Sequence, residues 1–261
     1  MASAQAAQRT FAGIAALLCA ATAALTVTWC ESMSAMHEMR MPGGWSMTMM
    51  WMRMPGQTWT GMALAFMGMW LVMMVAMMLP SLTPVLSRYR RAVAGTSATR
   101  SGLATALVGV AYFGVWTWFG AIAYVAGGIV ASLAMEQPTL ARAVPLATGA
   151  SVLLAGALQF TRWKAQRLAC CRGAFECCAV LPSDANTALC HGLRLGIDCV
   201  HCCFGFTLTL LALGVMDLRA MAAVTLAISL ERLAPAGVRV AQFTGLILVS
   251  AGVFLIVRAI A

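Results

Sequence analysis

The sequence predicts an all-α fold, a polytopic transmembrane helical bundle of about seven spans. Three observations predict it. Of 261 residues, 62% are hydrophobic and only 10% charged, which is more apolar surface than one water-soluble core can hide. Runs of about 20 apolar residues recur along the chain, each long enough to cross a hydrocarbon core of about 30 Å. The runs are apolar on all sides, without the alternation of barrel strands, so each must satisfy its backbone groups within its own helix.

Taken in order, spans are expected near residues 10–29, 59–82, 103–133, 143–161, 197–217, 219–235 and 241–259. The first, with Arg9 before it and the small residues Ala21 to Ala24 near its end, also fits a cleaved signal peptide, which would leave six spans. The 17 basic residues cluster between the apolar runs. With the N-terminus cytoplasmic, twelve fall inside (Arg9, Arg88, Arg90, Arg91, Arg100, Arg162, Lys164, Arg167, Arg172, Arg194, Arg232 and Arg239) and five outside. The net charge of +9 therefore reports orientation in a lipid bilayer and not a nucleic-acid surface. Residues 1–58 comprise the first span and a methionine-rich outer loop. Residues 59–261 comprise the helical membrane domain, with a cysteine-rich cytoplasmic loop near 162–196.

The outer loop "MSAMHEMRMPGGWSMTMMWMRMPG" (33–56) combines dense methionine with His37, Trp45 and Trp51. Thioethers are soft and uncharged, and they suit Cu(I) in an oxidising compartment where thiols are lost to disulfides. The alternative use of Met is flexible apolar packing. The second span continues the pattern. Met62, Met69, Met73 and Met77 share one helical stripe, and Met67, Met74 and Met78 a neighbouring one. Pro80 at the inner end removes a backbone donor and is expected to free carbonyls at the foot of this ladder.

In "DCVHCCFGF" (198–206), Cys199, Cys202 and Cys203 are spaced to bring three sulfurs to one side of a helix. The predicted span starts at 197, so the cluster is expected at its cytoplasmic mouth, with Asp198 as cap and the helix end favouring thiolate at Cys199. His201 points round the helix and is expected in a structural or interfacial role. A reducing cytoplasm disfavours disulfides, and buried thiolates need a cation. Copper as Cu(I) is the expected metal. The loop cysteines Cys170, Cys171, Cys177, Cys178 and Cys190 with His191 leave three readings open: a structural zinc site, a thiol reservoir, or neither. Gln159 and Thr161 close the fourth span. Glu231 closes the sixth, and an ionisable group there is a functional candidate whose alternative is an ion pair with Arg232.

Four stretches carry a family resemblance: "MMVAMMLPSLTPVLSRYRR" (73–91), "YFGVWTWFGAIAYVAG" (112–127), "AGALQFTRWKAQRLACCR" (155–172) and "GLRLGIDCVHCCFGFTLTLLALGVMDLRAMAAVTLAISLERLAP" (192–235). Together, over about residues 60–258, the chain resembles the bacterial family of predicted metal-binding integral membrane proteins, whose biochemical activity is uncharacterised. The resemblance implies a helical inner-membrane protein. It points to Met73, Met74, Met77, Met78, Pro80, Gln159, Thr161, Cys199, Cys202, Cys203 and Glu231 as the shared site positions. The chain departs from the family pattern at Leu158, where Tyr is usual, at Arg162, where Pro is usual, at His201, where Gly is usual, and at Arg232, where Lys is usual.

Three functions follow. The first is binding and handling, or transport, of Cu(I) through Met and Cys ligands. The second is a membrane thiol-disulfide oxidoreductase using Cys199 and Cys202. The third is a noncatalytic subunit that delivers metal to a metallochaperone or membrane-complex partner. No acyl-transfer triad, paired carboxylates or phosphate-binding GxxxxGK[ST] loop is present, so enzyme chemistry has little sequence support.

Overall fold

The computed structural model describes residues 2–34, 39–47, 51, 56, 58–93, 97–172 and 184–261. Eight helices occupy them: α1 (Ala2–Ser34), α2 (Trp59–Ala92), α3 (Ala98–Glu136), α4 (Pro138–Leu158), α5 (Arg162–Arg172), α6 (Ala185–Leu213), α7 (Leu218–Leu233) and α8 (Gly237–Ile260). Six of them, α1 to α4, α6 and α8, are long and apolar enough to cross a membrane. Large apolar side chains such as Leu17, Leu64, Trp118 and Leu226 are exposed on the outside, which is compatible with a multi-pass membrane protein. Helix α7 has 16 residues, a rise of about 24 Å, and is the shortest of the predicted spans.

The largest departure from the sequence expectation is at α6. It begins at Ala185 rather than near 197, because Asp184 caps it by accepting from the Thr187 N–H at 3.0 Å. The added turns bury Ala188, Gly192, Leu195 and Gly196, spaced i, i+4, i+7 and i+8 for one face. That face packs on α3, where a side chain at Gly192 would come within 2.5 Å of the Val108 carbonyl oxygen. Helix α5 and the start of α6 thus occupy much of the segment expected to be loop.

Helices α2 and α6 carry the most buried faces. On α2 the methionine stripes point inward: Met69, Met73, Met74, Met77 and Met78 are all buried. Trp70 locks α2 to α3 by donating to the Trp116 carbonyl at 2.9 Å. Its ring needs the missing side chain of Gly120, where a Cβ would meet it at 2.4 Å. Helix α2 runs through Pro80 and Pro84 to Ala92 without ending. Pro80 leaves the Ala76 carbonyl without its helical donor, and the Cys19 thiol of α1 lies 3.8 Å from that oxygen and donates to it. The carbonyl freed by Pro80 therefore joins two helices.

Helices α4 and α8 pack backbone to backbone along Gly149, Gly156, Gly245 and Gly252. A Cβ at Gly156 would lie 2.6 Å from the Val249 nitrogen. Small residues allow this approach where lipid supplies no hydrophobic drive. The strands β1 (Met39–Arg40) and β2 (Ser46–Met47) form an antiparallel hairpin. It turns through Gly43 and Gly44 with φ of 100° and 78°, a conformation that favours glycine. Met41 and Met47 are buried with Ala131, Ala134 and Ala141, so these two outer-loop methionines pack against the bundle. Met36, His37, Met49, Met50, Met52 and Met54 lie outside the described residues.

Candidate metal centre

Cys199, Cys202 and Cys203 of α6 sit in the middle of that helix, well inside its start at Ala185, and all three are buried. The expected cap role of Asp198 and the helix-end effect on Cys199 are therefore overturned. Asp198 instead lies 3.5 Å from Arg167 of α5 as a partly exposed ion pair. His201 is exposed, contacts the Ile197 carbonyl through Nδ1 at 2.8 Å and meets the Trp163 ring edge-on. It faces away from the cluster, as the helical angle predicts.

Cys199 Sγ and Cys203 Sγ are 3.9 Å apart, one turn along the helix. Cys202, and Cys171 of α5, are buried in the same core cluster as these two sulfurs. Of the two adjacent cysteines on α5, Cys170 is exposed and Cys171 is 2% exposed. Lys164, Leu168 and Cys171 are the buried residues of that helix, at i, i+4 and i+7, so a short amphipathic helix brings a fourth thiol and an ammonium to the cluster. The cysteines the structure describes are free thiols.

Charges surround these sulfurs. Arg232 of α7, 7% exposed, donates through Nη1 to Cys199 Sγ at 3.2 Å and to Ser81 Oγ of α2 at 3.1 Å. The Tyr112 hydroxyl of α3 donates to Cys199 Sγ at 2.9 Å. Lys164 pairs with Glu231 at 2.7 Å and donates to the Cys202 carbonyl at 2.8 Å. Thr244 of α8 donates to the other Glu231 oxygen at 2.9 Å. Glu231 thus pairs with Lys164 rather than with its neighbour Arg232, whose guanidinium turns to the thiols. Burial alone would pull the Lys164 ammonium down, but Cys202 and Glu231 together hold it above its ordinary range. The Cys171 thiol is pushed well up by its hydrogen bond to Cys202 and by burial, which keeps it a proton donor.

The other predicted positions fall into two groups. Met73, Met74, Met77 and Met78 are buried in the same apolar core as the α6 cysteines. The foot of the ladder reaches the cluster through Ser81, which donates to the Met78 carbonyl at 3.0 Å and accepts from Arg232. Gln159 ends α4 and is 5% exposed. Neither of its amide atoms has a hydrogen-bond partner, and it lines a cavity of about 200 Å³ with Thr161, Lys164 and Gln242. It stands on the far side of Lys164 from the sulfurs. At the opposite end of the fold, Cys30 Sγ lies 3.7 Å from Met216 Sδ, and Asp217 caps α7.

Among the described residues, no three His, Cys, Asp or Glu side chains are already disposed around a common metal position. What is assembled is a soft pair with two further thiols beside it. With metal–sulfur bonds of about 2.3 Å, a separation near 3.9 Å corresponds to an angle of about 120° at a shared ion.

Sequence reasoning missed Cys171, Lys164, Tyr112 and Arg232 as members of the cluster. The spacing of Lys164, Leu168 and Cys171 carried the signal for two of them, and Tyr112 and Arg232 stood in motifs whose geometry only tertiary packing supplies.

The PpoB2 copper chaperone family model matches residues 67–255, more than two thirds of the chain, and the chain belongs to that family. No curated protein and no solved structure matches it.

Proposed function

For a chain of the PpoB2 copper chaperone family, we propose a membrane-embedded Cu(I) handling role in which Cys199, Cys202 and Cys203 of α6 are the central ligands and Cys171 of α5 an exchanging one. The observation that carries this reading is the contact of the Arg232 guanidinium with Cys199 inside the thiol cluster. Lys164 and Glu231 neutralise each other, which leaves one buried positive charge at Arg232. Two thiolates and one Cu(I) carry a net charge of −1, which that guanidinium balances. With the remaining sulfurs as neutral thiols, such a site leaves no excess buried charge, which would be costly in a low-dielectric interior.

The methionine stripes of α2 supply weaker thioether contacts leading towards the thiols, and movement from thioether to thiolate is downhill for Cu(I). We place the protein in a bacterial inner membrane, with its N-terminus and thiol cluster towards the cytoplasm, from the distribution of basic residues. The family description as a copper chaperone supports delivery to a partner over uncoupled transport. A thiol oxidoreductase is less well supported, since Cys199 and Cys202 are fully or almost fully buried and a redox partner needs access.

The test is metal analysis of the purified chain after Cu(I) loading, beside the variant with Cys199→Ser, Cys202→Ser and Cys203→Ser. The expected result is close to one copper per chain in the wild type and almost none in the variant. Equal copper in both would remove the site.

A further inference from the structure

A second cavity adjoins the thiol cluster at Cys171 and Arg232. It lies between α2, α5 and α7, has a volume of about 430 Å³ and is walled by Ser81, Arg88, Cys171, Arg172, Arg232 and Leu233, among others. This volume falls in the range of small-molecule sites. Among the described residues that wall it, three are arginines and none is acidic.

Among the described residues, none of these arginines forms a salt bridge. Arg232 commits Nη1 to Ser81 and Cys199, while its buried Nη2 has no hydrogen-bond partner. Arg172 donates to the backbone carbonyls of Glu231 and Pro235 at 3.0 and 3.3 Å, contacts that orient it and leave its charge unbalanced. Arg88 is exposed at the rim. Among the described residues, the Glu231 carboxylate is already held by Lys164 and Thr244. A desolvated guanidinium nitrogen without a partner is costly to maintain. A wall of planar, fork-shaped donors is the natural receptor for carboxylate groups. The same cavity also presents Cys171, which shares a buried core with the α6 cysteines, and Arg232, which contacts Cys199, so an anion seated there lies beside the sulfur cluster.

We infer that this vestibule docks a small anionic thiol, a carboxylate-bearing molecule that carries Cu(I) as its thiolate complex and exchanges it with Cys171. The inference rests on the copper reading of the thiol cluster. In the exchange a Cys171 sulfur–copper bond forms and one carrier sulfur–copper bond breaks. The Cys171 proton passes to the departing carrier thiolate, and copper remains Cu(I) throughout, so no oxidant or reductant is needed. Ligand exchange of this kind is fastest when the incoming complex is held close to the receiving sulfur, which is the task of the arginines.

The experiment follows Cu(I) transfer to the intact chain in zwitterionic nanodiscs. Copper is supplied either as its glutathione complex, which bears carboxylates, or as its dithiothreitol complex, which bears none. In the double variant Arg88→Gln, Arg172→Gln, transfer from glutathione should slow about tenfold or more, while transfer from dithiothreitol stays unchanged. In the wild type, added salt and S-methylglutathione should slow the glutathione reaction alone. The variant Arg88→Lys, Arg172→Lys, which keeps both charges, should recover much of the rate. Slowing of both carriers in the double variant, or of neither, would overturn the vestibule while leaving the copper site standing. Failure of both carriers to load the wild type would overturn the copper reading and this inference together. If phosphatidylglycerol nanodiscs abolish the glutathione advantage, and that lipid copurifies with the wild type but not with the Gln variant, the occupant is a lipid headgroup and the thiol-carrier inference is wrong.

Discussion

Two regions of the core are rich in sulfur, and they differ in what surrounds it. The methionines of α2, Met73, Met74, Met77 and Met78, are almost completely buried, and they belong to the large apolar core that also holds Trp70 and Leu82. Cys171 of α5 and Cys199, Cys202 and Cys203 of α6 are equally buried, yet they share their space with Arg232, Lys164, Glu231 and Tyr112. Buried thioethers cost nothing to leave in hydrocarbon. A buried arginine, lysine and glutamate do, and a fold keeps them where charge has a use. The contrast teaches that burial of sulfur alone does not mark a site, whereas charge brought in beside it does.

The largest expected break of the contrast is at the ion pair. Lys164→Met leaves Glu231 buried without its partner and should cost about 3–5 kcal/mol, whereas Met77→Leu, a volume-conserving change in the apolar stripe, should cost less than about 1.5 kcal/mol. Denaturant unfolding of the detergent-solubilised protein measures both. A similar cost for the two would erase the distinction between the regions.

A smaller effect is expected at the counter-charge. Arg232→Met should lower Cu(I) affinity by about 10–100-fold, the usual range for groups that support metal ligands from behind. Competition with a Cu(I) chelator of known affinity reads this directly. The paired change Met73→Leu, Met77→Leu should leave copper stoichiometry at the thiols unaltered and affect only the rate at which copper arrives.

How much of this was legible before folding depends on the kind of signal. The apolar runs fixed the helical class because lipid-spanning backbone has few solutions, and the α2 stripes were visible because helical periodicity alone decides which methionines share a face. The α6 cysteines were found by spacing, but their depth was misjudged. "ANTALCHGLRLG" contains two glycines and several polar residues, so its pattern resembles a loop. Those glycines turn out to be the close contacts with α3 that make the stretch helical. The Glu231 partner was misassigned for a related reason. Sequence adjacency suggested Arg232, but neighbouring helical residues project about 100° apart, and the true partner came from α5.

The next prediction sharpens the contrast within the thiol cluster itself. Tyr112→Phe removes one hydrogen bond to Cys199 and should cost about 1 kcal/mol, visible as a modest loss of Cu(I) affinity or of stability in the same competition and unfolding assays. The smallest effect belongs to the one histidine beside the cluster. His201→Ala should leave copper binding unchanged, because its ring is exposed and occupied with Ile197 and Trp163. A large loss of copper there would bring a nitrogen ligand into the account.

Copper K-edge absorption of the Cu(I)-loaded protein tests the central claim most directly. The account predicts a shell of two or three sulfurs at about 2.3 Å that is retained when Met73 and Met77 are changed to leucine and lost when Cys199, Cys202 and Cys203 are changed to serine. A nitrogen or oxygen shell, or a sulfur shell that survives the serine changes and disappears with the methionines, would contradict it.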